Sequence, residues 1–216
     1  MSPGSAEPGR RGRLLIRADA SPAIGVGHVT RCLALAQAWL DAGHGEVAFA
    51  ISAPPPLVLR RLVAEDIEVH DVGSGAEPFR ALVQRLAPSV VVVDGYRFGT
   101  EEHEAARATG AVLAVFDDNR EVPLGLADVI VNQNPQAHAL GYERDTRAEL
   151  LLGLEHAMLR REFRTPAAPR AAVGDTEPRP TVLVTLGGSD LAGLTRPLVT
   201  ALAGLRRPGT RVEALV

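Results

Sequence analysis

A histidine at the end of a short glycine loop, Gly25-Val26-Gly27-His28, is the arrangement in this sequence best suited to moving a proton. The loop follows the apolar run Leu14-Leu15-Ile16 and the polar segment Arg17-Ala18-Asp19. Glycine lets backbone pass close to a ligand and permits positive φ. From His28 to about Ala42 the apolar residues Val29, Cys32, Leu33, Ala36 and Leu40 recur at helical spacing, and Gly43 ends the pattern. His28 therefore stands at a helix start, where unpaired N–H groups carry partial positive charge and welcome an anion. A neutral imidazole there can take a proton from water, a step typically worth about a hundred- to ten-thousand-fold in rate. The alternative is a tight turn with an incidental histidine. A dinucleotide loop would need glycine where Thr30 stands and an acid near Ser52 and Ala53, and a phosphate-binding Walker loop would need lysine, which the chain lacks.

Three further clusters carry polar chemistry. Asp94-Gly95-Tyr96 follows the run Val90-Val91-Val92-Val93 and suits a sugar, or else caps the helix near Thr100. Asp117-Asp118-Asn119 reads as a metal or acid–base pair, or as a polar turn. Gly187-Gly188-Ser189-Asp190 lies between a strand and a helix and would cradle phosphate through backbone N–H groups, or form a simple turn. Cys32 belongs to the apolar helix face and reads as core. His44 reads as a turn residue, and His70, His103, His138 and His156 are isolated.

The elements that must position these residues alternate. Strands are expected at Leu14–Ile16, Val47–Ile51, Ile67–Val72, Val90–Val93, Ala111–Phe116, Val129–Val131 and Leu150–Leu152. Helices are expected at His28–Ala42, Leu57–Ala64, Phe79–Leu86 and Glu101–Ala108. This is the pattern of a parallel α/β sheet with helices on both faces, whose ligands sit beyond the carboxyl ends of the strands. Residues 1–12 read as a disordered tail, 13–165 as the first domain and the Pro/Ala-rich 166–180 as a linker. Residues 181–216 then give strand, helix, strand, too little to build a core alone.

The chain has 216 residues, 46% hydrophobic and 23% charged, with net charge −3. No basic stripe points to nucleic acid, no apolar run is long enough for a membrane span, and no signal peptide opens the chain. A single cysteine forbids an internal disulfide and fits a cytoplasmic location.

The segment Ile24–Ala36 resembles the signature of the UDP-sugar hydrolases of the pseudaminic-acid pathway, whose relatives include spore-coat polysaccharide proteins. More distantly it resembles the peptidoglycan lipid-II glycosyltransferase. Val93–Tyr96, Phe116–Asp118, Asn132–Asn134, Leu152-Gly153, Leu159–Phe163 and Leu183–Asp190 match in the same order. The resemblance implies a GT-B-like fold: an N-terminal Rossmann-like domain holding sugar and base, and the beginning of a second Rossmann-like domain that holds UDP. It implies that His28 activates water to attack the anomeric carbon of a UDP-diacetamido-trideoxy-hexose, releasing UDP without cofactor or metal. Asp19, Gly25, Gly27, Arg31, Asp94, Tyr96 and Asp117 would line the substrate, and Gly187, Gly188 and Ser189 would approach the diphosphate. A glycosyltransferase with a hydroxyl acceptor, or an inactive truncated fragment or sugar-binding module, are the alternatives. The pocket for uridine is expected beyond Val216.

Overall fold

The computed structural model describes residues 12–144, 146–164, 180–186, 190, 192–205 and 210–215. The first part runs β1 (Gly12–Ala18), α1 (Gly27–Asp41), β2 (Gly45–Ile51), α2 (Pro56–Val63), β3 (Glu68–Asp71), α3 (Ala76–Leu86), β4 (Val90–Asp94), α4 (Thr100–Ala106), β5 (Val112–Phe116), β6 (Val129–Asn132) and β7 (Glu149–Leu152). The short α5 (Arg161–Arg164) follows, then β8 (Thr181–Thr185), α6 (Thr195–Leu205) and β9 (Arg211–Leu215).

Strands β1 to β7 form one sheet in the order β3-β2-β1-β4-β5-β6-β7, every pair parallel. Such strands are covered on both faces, which is why β1, β2 and β4 read as continuous apolar runs. On one face Leu14, Ile16, Phe49 and Val92 pack under α1 and α2, through Cys32, Leu33 and Leu62. On the other face Leu15, Ala48, Val91 and Val93 meet Phe79 and Val83 of α3 and Ala105 of α4. Chain order reverses between β1 and β4, and this switch point opens a crevice at the carboxyl ends of the strands. Strands β8 and β9 form a separate parallel pair.

Several boundaries move. Gly12, placed in the tail from sequence, is the first residue of β1; it pairs with Gly45, and its N–H donates to His44 O at 2.7 Å. Helix α3 begins at Ala76, before Phe79, because Gly75 takes φ +90° and turns the chain into it. Residues 1–11 and all of the expected linker except Pro180 lie outside the described residues. Among the described residues no helix is long and apolar enough to cross a membrane.

Candidate active site

Parallel strands put every strand end on the same edge, so the polar segments after β1, β4, β5 and β6 converge there. The loop after β1 is held by its own backbone. Gly25 takes φ +75°, which an L side chain adopts only with strain. Its N–H donates to Ser21 O at 2.8 Å, and the Ser21 hydroxyl accepts from Ala23 N at 3.2 Å. Gly27 opens α1 and borders free space, with no atom within 4 Å of where a Cβ would stand. No side chain caps the start of α1, and its first turn carries no acid.

Strand alternation decides which side chains meet. Asp94 ends β4 beside Ala18 and lies two residues after Val92, whose side chain packs on the α1 face. Asp94 therefore points at α1, fully buried, and meets three residues of its first turns. His28 Nδ1 lies 2.7 Å from Asp94 Oδ1. Arg31 Nε donates to Asp94 Oδ2 at 2.6 Å, and Arg31 Nη2 donates to Asp94 Oδ1 at 2.6 Å. Cys32 Sγ donates to Asp94 Oδ2 at 3.3 Å. Cys32 is core, as expected, and also part of this clamp; burial pushes its thiol pKa up. Asp94 caps no helix: the N-cap of α4 is Gly99, whose N–H donates to Glu102 Oε2 at 2.8 Å.

The same alternation separates the paired carboxylates. Phe116 faces the α1 side, so Asp118 does too. Arg31 Nη1 donates to Asp118 Oδ1 and Oδ2 at 2.8 and 2.9 Å, Asn134 Nδ2 to Oδ1 at 3.0 Å, and the Tyr96 hydroxyl to Oδ2 at 2.7 Å. Tyr96 also meets the His28 ring edge to face, centroids 4.9 Å apart. Asp117, expected at the substrate, turns inward instead and is fully buried. It accepts from the Tyr142 hydroxyl at 2.8 Å and from Glu121 N at 3.2 Å, which shapes the turn after β5. Asp118, singled out with Asp117 as a candidate pair, and Asn134, part of a matching motif, take the outward place, though neither was named among the substrate-lining residues.

Two other expected residues have partners within the protein. Arg31 is a strut between two carboxylates, with its guanidinium 5.2 Å from the centre of the Phe116 ring. Asp19 is the counter-ion of the buried Arg17 and accepts from Ser52 N at 2.8 Å. Arg17 faces the α3/α4 side over the Phe98 ring, 4.3 Å away. Gly187, Gly188 and Ser189 lie outside the described residues. Next to them, Asp190 accepts from Leu194 N and Thr195 N, both at 2.8 Å, and so caps α6. Among the described residues no group of three or more His, Cys, Asp or Glu side chains is set to hold a metal ion.

The electrostatics follow from the contacts. Burial pushes the Asp94 carboxyl up, but hydrogen bonds and charges from Arg31 and His28 outweigh it and hold the pKa below the usual range. Asp118 is likewise held low, by Arg31, Tyr96 and Asn134 against burial. Burial opposes the charge on Arg31, yet Asp94 and Asp118 raise its pKa. The site thus keeps two carboxylates and one guanidinium charged. A depressed carboxylate pKa means that the folded state binds fewer protons than the unfolded one as pH falls past about 4. The stability these acids contribute is complete above that pH and is lost as pH falls through the lowered folded values. The urea midpoint is therefore expected to drop steeply below about pH 4, and Asp118→Asn should flatten that fall, as followed by circular dichroism.

Asp94, ionised, can only accept, so the 2.7 Å contact requires a proton on His28 Nδ1. Neutral His28 then carries its lone pair on Nε2. Arg31 Nη2, 3.4 Å from Nδ1, is too distant to compete.

No family model matches the chain. The chain is 25% identical over 196 residues to the UDP-2,4-diacetamido-2,4,6-trideoxy-beta-L-altropyranose hydrolase of Campylobacter jejuni subsp. jejuni serotype O:2. The match takes in 88% of this chain and spans 65% of that relative's length. Among solved structures the fold is similar to Acinetobacter baumannii MurG, with TM-score 0.54, 13% identity, and coverage of 94% of this chain and 67% of that one. It is also similar to a Listeria monocytogenes protein assigned as a UDP-N-acetylglucosamine 2-epimerase, with TM-score 0.59, 12% identity, and coverage of 96% and 63%. The chain thus resembles a UDP-sugar hydrolase in sequence and is GT-B-like in fold.

Proposed function

We propose that the chain carries the base-bearing half of a nucleotide-sugar hydrolase that removes UDP from a UDP-diacetamido-trideoxy-hexose, serving nonulosonic (pseudaminic) acid or surface-polysaccharide synthesis. The observation that supports it most is the 2.7 Å contact between His28 Nδ1 and the buried Asp94. It is the same logic by which an acid orients the histidine of a hydrolytic triad.

In this reading water gives a proton to His28 Nε2, and its oxygen bonds to the anomeric carbon. The bond from that carbon to the diphosphate oxygen breaks, and UDP leaves with the electron pair. The imidazolium that forms is stabilised by Asp94. Residues 13–165 form the sugar and base domain, 166–180 the linker, and 181–216 the start of a UDP-binding domain. Gly25 and Gly27 let substrate approach the uncapped start of α1, and Gly187, Gly188 and Ser189 approach the diphosphate. The likeness to the Campylobacter jejuni hydrolase supports the substrate class.

The test is to incubate a protein carrying this chain together with a UDP-binding domain with UDP-2,4-diacetamido-2,4,6-trideoxy-β-L-altropyranose and follow UDP. Release in water alone is the expected result. Release only after a hydroxyl acceptor is added would replace hydrolysis with transfer. No release, together with no heat of UDP binding in calorimetry, would contradict both.

A further inference from the structure

Tyr96 has one hydroxyl hydrogen, and the structure commits it. It is donated to Asp118 Oδ2 at 2.7 Å. An ionised carboxylate has no hydrogen to return, so the direction of this bond is fixed. Asp118 itself cannot rotate away, because Arg31 grips both its oxygens and Asn134 donates to Oδ1. Burial and the bond to Asp118 push the Tyr96 phenol up to about 12, so it keeps that hydrogen at neutral pH. What Tyr96 offers outward is therefore lone pairs only. Its ring is half exposed and touches His28 edge to face. The neighbouring His28, with Nδ1–H given to Asp94, likewise offers a lone pair.

We propose that Asp118 is a positioning residue that makes Tyr96 a hydrogen-bond acceptor, so that His28 and Tyr96 together hold a nucleophile with two protons, water, in preference to a hydroxyl with one. This deepens the hydrolase reading and rests on it. Water donates one hydrogen to His28 Nε2 and the other to Tyr96 Oη, which aims its own lone pair at the anomeric carbon. As the carbon–oxygen bond forms, the first proton passes to His28 and the glycosyl–phosphate bond breaks with its electron pair going to UDP. The second hydrogen stays on the oxygen and becomes the product's hydroxyl. An alcohol has one proton to give; held by His28, it leaves Tyr96 Oη without a donor, which costs binding.

Asp118→Asn reverses the bond. The amide oxygen is drawn to the Oδ1 position, where Arg31 and Asn134 both donate, so its NH₂ faces Tyr96, and Arg31 Nη1 gives up its contact at the Oδ2 position. The Tyr96 hydrogen then turns outward, and the pair offers one donor and one acceptor, which matches an alcohol. The experiment runs the UDP-sugar reaction in water containing methanol and measures free sugar against methyl glycoside. In D118N hydrolysis should fall about tenfold or more, and the ratio of methyl glycoside to sugar should rise about tenfold. Tyr96→Phe, which deletes the acceptor and leaves Asp118, should raise the same ratio. A fall in rate with an unchanged ratio in D118N would make Asp118 merely structural and overturn the proposal.

A second readout needs no turnover. The chain has two tyrosines, so ¹³C labelling at the phenol carbon gives two signals, told apart with Tyr142→Phe. At pH 11 Tyr96 should be mostly protonated in the wild type and more ionised in D118N. Equal ionisation in both overturns the proposal. Absence of UDP release from wild type would instead sink the hydrolase reading, and the tyrosine signals would still decide what Asp118 does to Tyr96.

Discussion

Asp94→Asn is expected to lower the rate of UDP release about ten-thousand-fold, the size of loss found when the acid orienting a catalytic histidine becomes its amide. Asp94 receives four contacts from donors: His28 and Arg31 Nη2 at Oδ1, and Arg31 Nε and Cys32 at Oδ2. An asparagine has one oxygen for these two positions. With its NH₂ toward His28, it would donate to Nδ1 and move the histidine proton to Nε2, which could then no longer take one from water. With its oxygen toward His28, the NH₂ would confront Arg31 Nε. In either case Arg31 loses one of its two counter-ions in a site where its side chain is 14% exposed. Breaking a buried pair by removing one charge costs about 3–5 kcal/mol, and the remaining Asp118 contact should keep the loss near the lower end. Steady-state UDP release and urea unfolding measure the two effects. Activity within tenfold of wild type would remove Asp94 from the mechanism.

His28→Ala should lower turnover by about a hundred- to ten-thousand-fold, the contribution of one general base. The fold should survive. His28 lies in the first turn of α1, where alanine is a good helix former, and Asp94 keeps Arg31 and Cys32. The loss of one hydrogen bond to a charged group is about 1.5–3 kcal/mol at most. Added imidazole should restore part of the activity, because the deletion leaves room beside Asp94. Turnover at the wild-type rate in H28A would end the assignment.

Much of the scaffold was legible because its strands are buried on both faces. Val90–Val93 and Val47–Ile51 have no solvent face to interrupt their apolar runs, so they stand out without alternation. The position of His28 in the first turn of α1 was legible too, since the glycine loop stands between a strand and a helical pattern. The division of labour between Asp117 and Asp118 was not read, although a signal existed. Counting by two from Phe116 places Asp118 on the α1 side and Asp117 opposite. The role of Arg31 needed three dimensions, because its partners lie 63 and 87 residues away in sequence. Asn134 shows the same limit: its partner is set by how β5 and β6 pair, which no local pattern encodes. The pairing of Asp19 with the buried Arg17 two residues before it was not read either.

The fate of the water oxygen reports on the proposed attack by His28-activated water at the anomeric carbon. The UDP-sugar is turned over in ¹⁸O-water and the released UDP is analysed by mass spectrometry. UDP without ¹⁸O is the expected result, because the bond broken is the one between carbon and the diphosphate oxygen. UDP carrying one ¹⁸O would mean that water attacks phosphorus, and would contradict it.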